Sequence, residues 1–261
     1  MKHSLLIIAC LLTASVCNAR TEQVIIQGDH GKLVADLQTP DVMPKNCPIV
    51  MLCHGFTANR NNGLLCGIAD ELEKQGIASI RFDFNGHGES EGDFQQMTVL
   101  NEIEDALHVY NWVKADSRFG KIGIAGHSQG GVATSMLAGK LGKKAFRGGV
   151  VLLAPAGVIR DDAIRGAFAG TSFDGADPLD PPEYVEVWAI IWGANTLQVL
   201  SGCRYTRRLP ATRGLPVSYT GRPTDWYLTH TACVFISYGR RVNGTCWTDT
   251  TMASDLIPKE L

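Results

Sequence analysis

No apolar run in this 261-residue chain is long enough to cross a bilayer comfortably, and no basic stripe interrupts it. The 24 basic and 26 acidic side chains give a net charge of −2. That balance argues against nucleic acid, whose phosphates call for an excess of Lys and Arg on one face. CxxC spacing is missing as well, so neither a zinc site nor a dithiol motif is expected, and no metal or cofactor is implied. Of the eight cysteines, two fall in the first nineteen residues. Cys53 sits within an apolar strand-like run and reads as a small core filler. A disulfide between Cys47 and Cys66 is compatible with an oxidising compartment, although spacing alone does not pair them.

What is present begins with Lys2 and His3, an apolar run from Leu5 to about Ala14, and the small residues Cys17-Asn18-Ala19. This pattern reads as a secretory signal peptide over residues 1–19, giving a secreted or periplasmic protein with no membrane segment after cleavage. Ile7-Ile8-Ala9-Cys10 also fits a lipoprotein box, but leaves almost no hydrophobic region before the cysteine. With 45% hydrophobic residues the remainder can bury one sizeable core. Val24–Gly28 and Lys32–Thr39 read as an antiparallel strand pair. Pro48–Cys53 and Ile77–Phe82 read as strands buried on both faces, with a helix over Leu64–Gln75 between them. Thr98–Lys114 places Leu100, Ile103, Leu107, Tyr110 and Val113 at helical spacing, with Glu102, Glu104 and Asp105 off that stripe. Ile122–Ala125, a helix from Gly130 to about Leu141, and Gly149–Leu153 add another unit. Such alternation specifies an α/β fold, a mainly parallel sheet with helices on both faces.

Chemistry concentrates at Gly126-His127-Ser128-Gln129-Gly130-Gly131, a turn from strand to helix. A serine there is thrust out of the sheet, and the helix N-terminus behind it offers N–H groups to a developing oxyanion. His127, adjacent in sequence, points elsewhere and reads as lining a pocket or satisfying a neighbour. His54-Gly55-Phe56-Thr57 ends an earlier strand, where the Phe56 N–H joins that of Gln129 as an oxyanion donor. In Arg81-Phe82-Asp83-Phe84-Asn85-Gly86-His87-Gly88-Glu89-Ser90, pairing of Asp83 with His87 is expected to brace the loop. His108 carries no special role.

Together these three motifs, running from roughly Val24 to Trp188, resemble the α/β-hydrolase superfamily, and within it the bacterial cinnamoyl (feruloyl) esterases. The resemblance implies a hydrolase of carboxylic esters of hydroxycinnamic acids, small or saccharide-linked, working through an acyl-enzyme. Ser128 is then the nucleophile, with Phe56 and Gln129 as backbone oxyanion donors, and the segment of about 155–188 is a cap over the substrate. A serine peptidase or acyltransferase on the same fold, and a non-catalytic ligand-binding relative, are the alternatives.

After Trp188 the chain changes character. Residues 189–261 hold 8 of the 24 basic and 4 of the 26 acidic residues, and strand–helix alternation stops. The resemblance requires an Asp after a late strand and a terminal His. His230 is the only histidine after Ser128, and Asp225 lies too close before it for two separate loops. Reading the tail as shifted by one base supplies both: ACLIHG as a strand, TADRLVPY as an acid loop and DHGF as the base segment. The lost Asp codon straddles those of Pro223 and Thr224, and the lost His codon those of Thr251 and Met252. The free base of each codon is chosen here toward the family pattern, but the middle bases, which set most polar or apolar character, are not. The expectation is therefore a hydrolase core over residues 20–188 and an out-of-frame, poorly ordered tail over 189–261. The late strands and last helix are missing, an apolar sheet edge is left open, and the chain is nearly inactive as written.

Overall fold

The computed structural model describes residues 20–142, 144–157, 167–168, 171–172, 184–187, 190–193, 232–238 and 241–247. The proposed signal segment, Trp188, Asp225 and His230 lie outside these residues, as does most of the expected cap. Strands β1 (Arg20–Gly28) and β2 (Gly31–Thr39) form an antiparallel hairpin closed where Gly28 faces Gly31. Then follow β3 (Cys47–Cys53), α1 (Gly63–Lys74), β4 (Ala78–Phe82), α2 (Val99–Ala115), β5 (Phe119–His127), α3 (Gln129–Leu141) and β6 (Gly149–Leu153). In space the strands run β1-β2-β4-β3-β5-β6, with β4, β3, β5 and β6 parallel and β2 antiparallel to β4.

The strand order decides where a ligand fits. From β3 the chain steps to β4 on one side, then crosses back beyond β3 to lay down β5 on the other. The connections after β3 and β5 therefore diverge, and a crevice opens between their carboxyl ends. Those two connections carry His54–Thr57 and Ser128.

Period-2 alternation explains the uninterrupted apolar strands. Met51, Cys53 and Ile124 pack with Val109, Val132 and Leu137 of α2 and α3. Leu52 and Ala125, pointing the other way, pack with Leu65 and Ala69 of α1. Each fully buried Leu, Ile or Phe contributes about 1.5–3 kcal/mol before chain entropy is subtracted. Helix ends follow local chemistry: the Asn62 side chain accepts from Leu64 N, and Thr98 accepts from Asn101 N.

The α2 stripe holds at Ile103, Tyr110 and Val113 and departs from expectation at its edges. Val99, Ile103, Ala106, Tyr110 and Val113 are buried, Leu100 is exposed, and Glu102 and Asp105 are buried with the apolar face. Polar partners on neighbouring elements admit these two acids, a feature hydrophobic periodicity does not register. The cysteine pairing is also corrected. Cys47, Cys53 and Cys66 are free thiols. Cys47 begins β3 and contacts the Gly76 carbonyl, whereas Cys66 contacts the Arg60 carbonyl in the connection beyond the strand's other end. A seven-residue strand spans roughly 20 Å, too far for a disulfide.

Two short antiparallel pairs follow β6 in the chain: β7 (Ala167–Phe168) with β8 (Thr171–Ser172), and β9 (Tyr184–Val187) with β10 (Ile190–Gly193). Strand β10 lies against the 3₁₀ turn at Phe94–Gln96. The edge of β6 is not left open as the sequence suggests. Strand β11 (Ala232–Tyr238) pairs antiparallel with it from Val234 to Ser237, and β12 (Arg241–Trp247) extends the sheet. An edge strand presents unpaired N–H and C=O groups, and the apolar, β-branched run of β11 suits that position. The pairing is antiparallel, in keeping with the loss of strand–helix alternation after Trp188.

Candidate active site

Ser128 occupies the turn between β5 and α3 with φ 53° and ψ −119°, a left-handed conformation that a non-glycine residue adopts at a cost of about 1–3 kcal/mol. The turn is held from several sides. Ser128 N donates to Leu153 O at 3.0 Å, while Ser128 O accepts from Gly131 N at 3.0 Å and from Ala156 N at 2.9 Å. Its glycines are demanded by close approach. A methyl group on Gly126 would lie 2.2 Å from the Gly130 carbonyl oxygen, and one on Gly130 would lie 2.2 Å from that of His54. The elbow and the loop after β3 are thus packed backbone to backbone.

That packing brings the expected oxyanion loop to the serine. A methyl group on Gly55 would stand 3.0 Å from Ser128 Cβ and 3.2 Å from His127 Nδ1. Phe56 follows immediately, its ring 5.5 Å from that of Phe94, which in turn meets His87 at 5.0 Å. Gln129 is the first residue of α3, so its N–H has no partner within its own helix. The three residues expected to act together, Ser128, Phe56 and Gln129, therefore cluster at the crevice between β3 and β5.

Neither buried histidine of this region bonds the Ser128 hydroxyl. Phe84 N donates to His54 Nε2 at 3.1 Å, so the ring carries its proton on Nδ1 and gives it to Gly55 O at 2.8 Å. Burial, with His87 nearby, pushes the His54 pKa down to about 4, so the ring stays neutral and both nitrogens are occupied. His54 is a brace tying the loop after β3 to the loop after β4. His87 Nδ1 lies 3.0 Å from Asn85 O and thus donates there, and burial lowers its pKa. His127, against Gly55, is likewise lowered by burial. Among the described residues no side chain hydrogen-bonds the Ser128 hydroxyl.

The loop after β4 is braced, but not by the expected pair. Asp83 binds the Arg60 guanidinium and accepts from Arg60 N at 2.6 Å and Glu89 N at 2.9 Å. Arg60 also meets Asp36 at 3.3 Å and Glu89 at 3.0 Å. A guanidinium presents several donors in a fixed fork, so it ties together three acids that an imidazole could not. Sequence reading missed Arg60 because it lies in the featureless stretch between β3 and α1.

Behind the elbow lies a second missed group. Glu102 Oε1 accepts from Gln129 Nε2 at 2.9 Å, and Gln129 Nε2 also meets Met97 Sδ at 3.7 Å. Burial pushes the Glu102 pKa up to about 8, so the side chain is a neutral acid at pH 7. Between its ordinary value of 4.5 and about 8, the unfolded chain carries an ionised Glu102 and the folded chain a protonated one. Folding then takes up a proton, and stability falls as pH rises through that window, by on the order of 1 kcal/mol per pH unit at its steepest. Denaturant unfolding of Glu102→Gln between pH 5 and pH 8 is expected to lack this slope. An unchanged slope would place its origin elsewhere.

Known proteins agree with this geometry. The Serine aminopeptidase, S33 family matches residues 44–173. The ferulic acid complex of Est1E from Butyrivibrio proteoclasticus superposes with a TM-score of 0.64 at 29% identity, covering 69% of this chain and 71% of that one. Lysophosphatidylserine lipase ABHD12 of Rattus norvegicus is 31% identical over 124 residues, which is 47% of this chain and 30% of the lipase. An uncharacterized 31.7 kDa protein of Escherichia coli is 37% identical over 86 residues, 32% of this chain. The chain thus spans about 30% of the length of the curated relatives it matches. Among the described residues no helix is long and apolar enough to cross a membrane. The left-handed serine elbow, the strand order that opens a crevice beside it, and these likenesses place the chain in the α/β-hydrolase superfamily, where it resembles the cinnamoyl esterases.

Proposed function

We propose that the protein is a secreted or periplasmic ester hydrolase for hydroxycinnamoyl-type esters, small or saccharide-linked. One observation carries the reading: Ser128 is held in a strained left-handed conformation at the crevice between β3 and β5. Strain of that kind persists where the surrounding structure enforces it, and here it presents a hydroxyl beside helix N–H groups. The Ser128 oxygen attacks the ester carbonyl while a base removes its proton. The N–H groups of Phe56 and Gln129 receive the oxyanion, the alcohol leaves with the proton, and water releases the acid from the acyl-enzyme. The acid and base of this reaction are encoded one base out of frame after Trp188, so the chain as written lacks them. Similarity to the Est1E ferulic acid complex supports the acyl group.

A second reading, a serine peptidase, draws on the match to the Serine aminopeptidase, S33 family. A panel of methyl hydroxycinnamates and short peptide amides, presented to a chain with the frame restored, separates the two. Cleavage of the cinnamates without the peptides is expected. Peptide cleavage at comparable kcat/KM would favour the peptidase.

A further inference from the structure

Behind the elbow lies the carboxyl of Glu102, 1% exposed. A buried carboxyl is costly, and an apolar side chain would fill the space more cheaply. Only one of its oxygens is used: Oε1 accepts from Gln129 Nε2, while Oε2 is buried with no hydrogen-bond partner. The carboxyl is therefore not satisfying a wider network. It is built toward a single side chain, and that side chain belongs to the residue after the nucleophile.

The Ser128–Gln129 peptide is planar, so its N–H points opposite to its C=O. The C=O end is fixed by the N–H groups of Gly131 and Ala156. The Gln129 end is fixed through its side chain, which Glu102 and Met97 hold from α2 and the turn before it. Glu102 is itself anchored, its backbone N donating to Thr98 O at 3.1 Å in the first turn of α2. We propose that Glu102 is a positioning residue for the oxyanion hole, pinning Gln129 so that its backbone N–H is aimed at the developing oxyanion. This rests on the reading of Ser128 as nucleophile and of Gln129 N–H as donor. Because Glu102 is held neutral by burial, it accepts from Gln129 without placing a negative charge behind the oxyanion.

The test uses the full chain with nitrogen-labelled glutamine, following the Gln129 side-chain amide from pH 6 to pH 10. In the parent the amide is expected to be protected from exchange and to titrate once. Glu102→Ala is expected to speed its exchange at least about tenfold, whereas Glu102→Gln keeps protection and abolishes the titration. A second readout is the rate at which a fluorophosphonate in large excess modifies Ser128, followed by intact mass. Losing one oxyanion donor outright costs roughly 10²–10³-fold, so mis-aiming it through Glu102→Ala is expected to slow the reaction about 10- to 100-fold. The probe concentration at half-saturation is expected to stay unchanged, and Glu102→Gln to recover most of the rate. An unchanged amide, or a reaction rate within twofold of the parent, in a folded Glu102→Ala protein overturns the proposal. If neither this chain nor its frame-restored form gives a Ser128 adduct, the nucleophile reading fails and the positioning role fails with it. A normal adduct rate in Glu102→Ala sinks the positioning role alone.

Discussion

Returning one G ahead of the Ala189 codon, so that the frame after Trp188 is restored, is expected to raise the hydrolysis of methyl hydroxycinnamates by about 10⁴-fold or more. A serine hydroxyl is a weak nucleophile until a neighbouring base takes its proton, and the base needs a carboxylate to hold its ring. No described imidazole bonds the Ser128 hydroxyl to fill that role: both nitrogens of His54 are engaged, and His87 packs against the rings of His54 and Phe94. The restored frame supplies an Asp loop in TADRLVPY and a His in DHGF, each after a strand. It also replaces the antiparallel β11–β12 addition with segments that alternate as the rest of the fold does. Enzyme assay and thermal unfolding of the two chains, expressed side by side, check both consequences. Equal activity in both would mean that the tail is in frame and that the base lies elsewhere.

In the frame-restored chain, Ser128→Ala is expected to lower kcat by about 10⁴-fold or more while leaving KM nearly unchanged. The hydroxyl acts only in the chemical step, so substrate binding by the crevice survives its loss. The fold is expected to survive too. Alanine at position 128 keeps the backbone bonds to Leu153, Gly131 and Ala156, and no side chain among the described residues depends on the hydroxyl. Initial-rate kinetics measured beside a circular dichroism melt separate a lost nucleophile from a lost fold. A fall in kcat of less than about tenfold would assign the nucleophile to another residue.

Much of this was legible in the residues themselves. Gly149–Leu153 is apolar because both faces of its strand are covered, and that signature needs no neighbours to interpret. The elbow was legible because Gly126, Ser128 and Gly130 encode a backbone constraint in one short window. Partnerships that form only through space were not. Arg60 gathers Asp36, Asp83 and Glu89 from three separate segments, and nothing local marks it. Glu102 looked like one of several acids on a solvated helix face, because the burial of a carboxyl depends on Gln129, 27 residues later. One edge of the α2 stripe was misjudged: Leu100 was favoured by its hydrophobicity, whereas the face that carries the expected Ile103, Tyr110 and Val113 is completed by Val99 and Ala106. After Trp188, periodicity carried nothing to read, and the antiparallel hairpin on β6 came as a surprise that only sheet-edge chemistry explains.

The central claim is that Ser128 forms the acyl-enzyme. It is tested most directly by mixing the frame-restored chain with an activated hydroxycinnamate ester, quenching in acid, and locating the adduct by tandem mass spectrometry. The expected result is one cinnamoyl group on Ser128, absent from Ser128→Ala. An adduct on any other residue, or turnover of the ester with no covalent species in either protein, would contradict it.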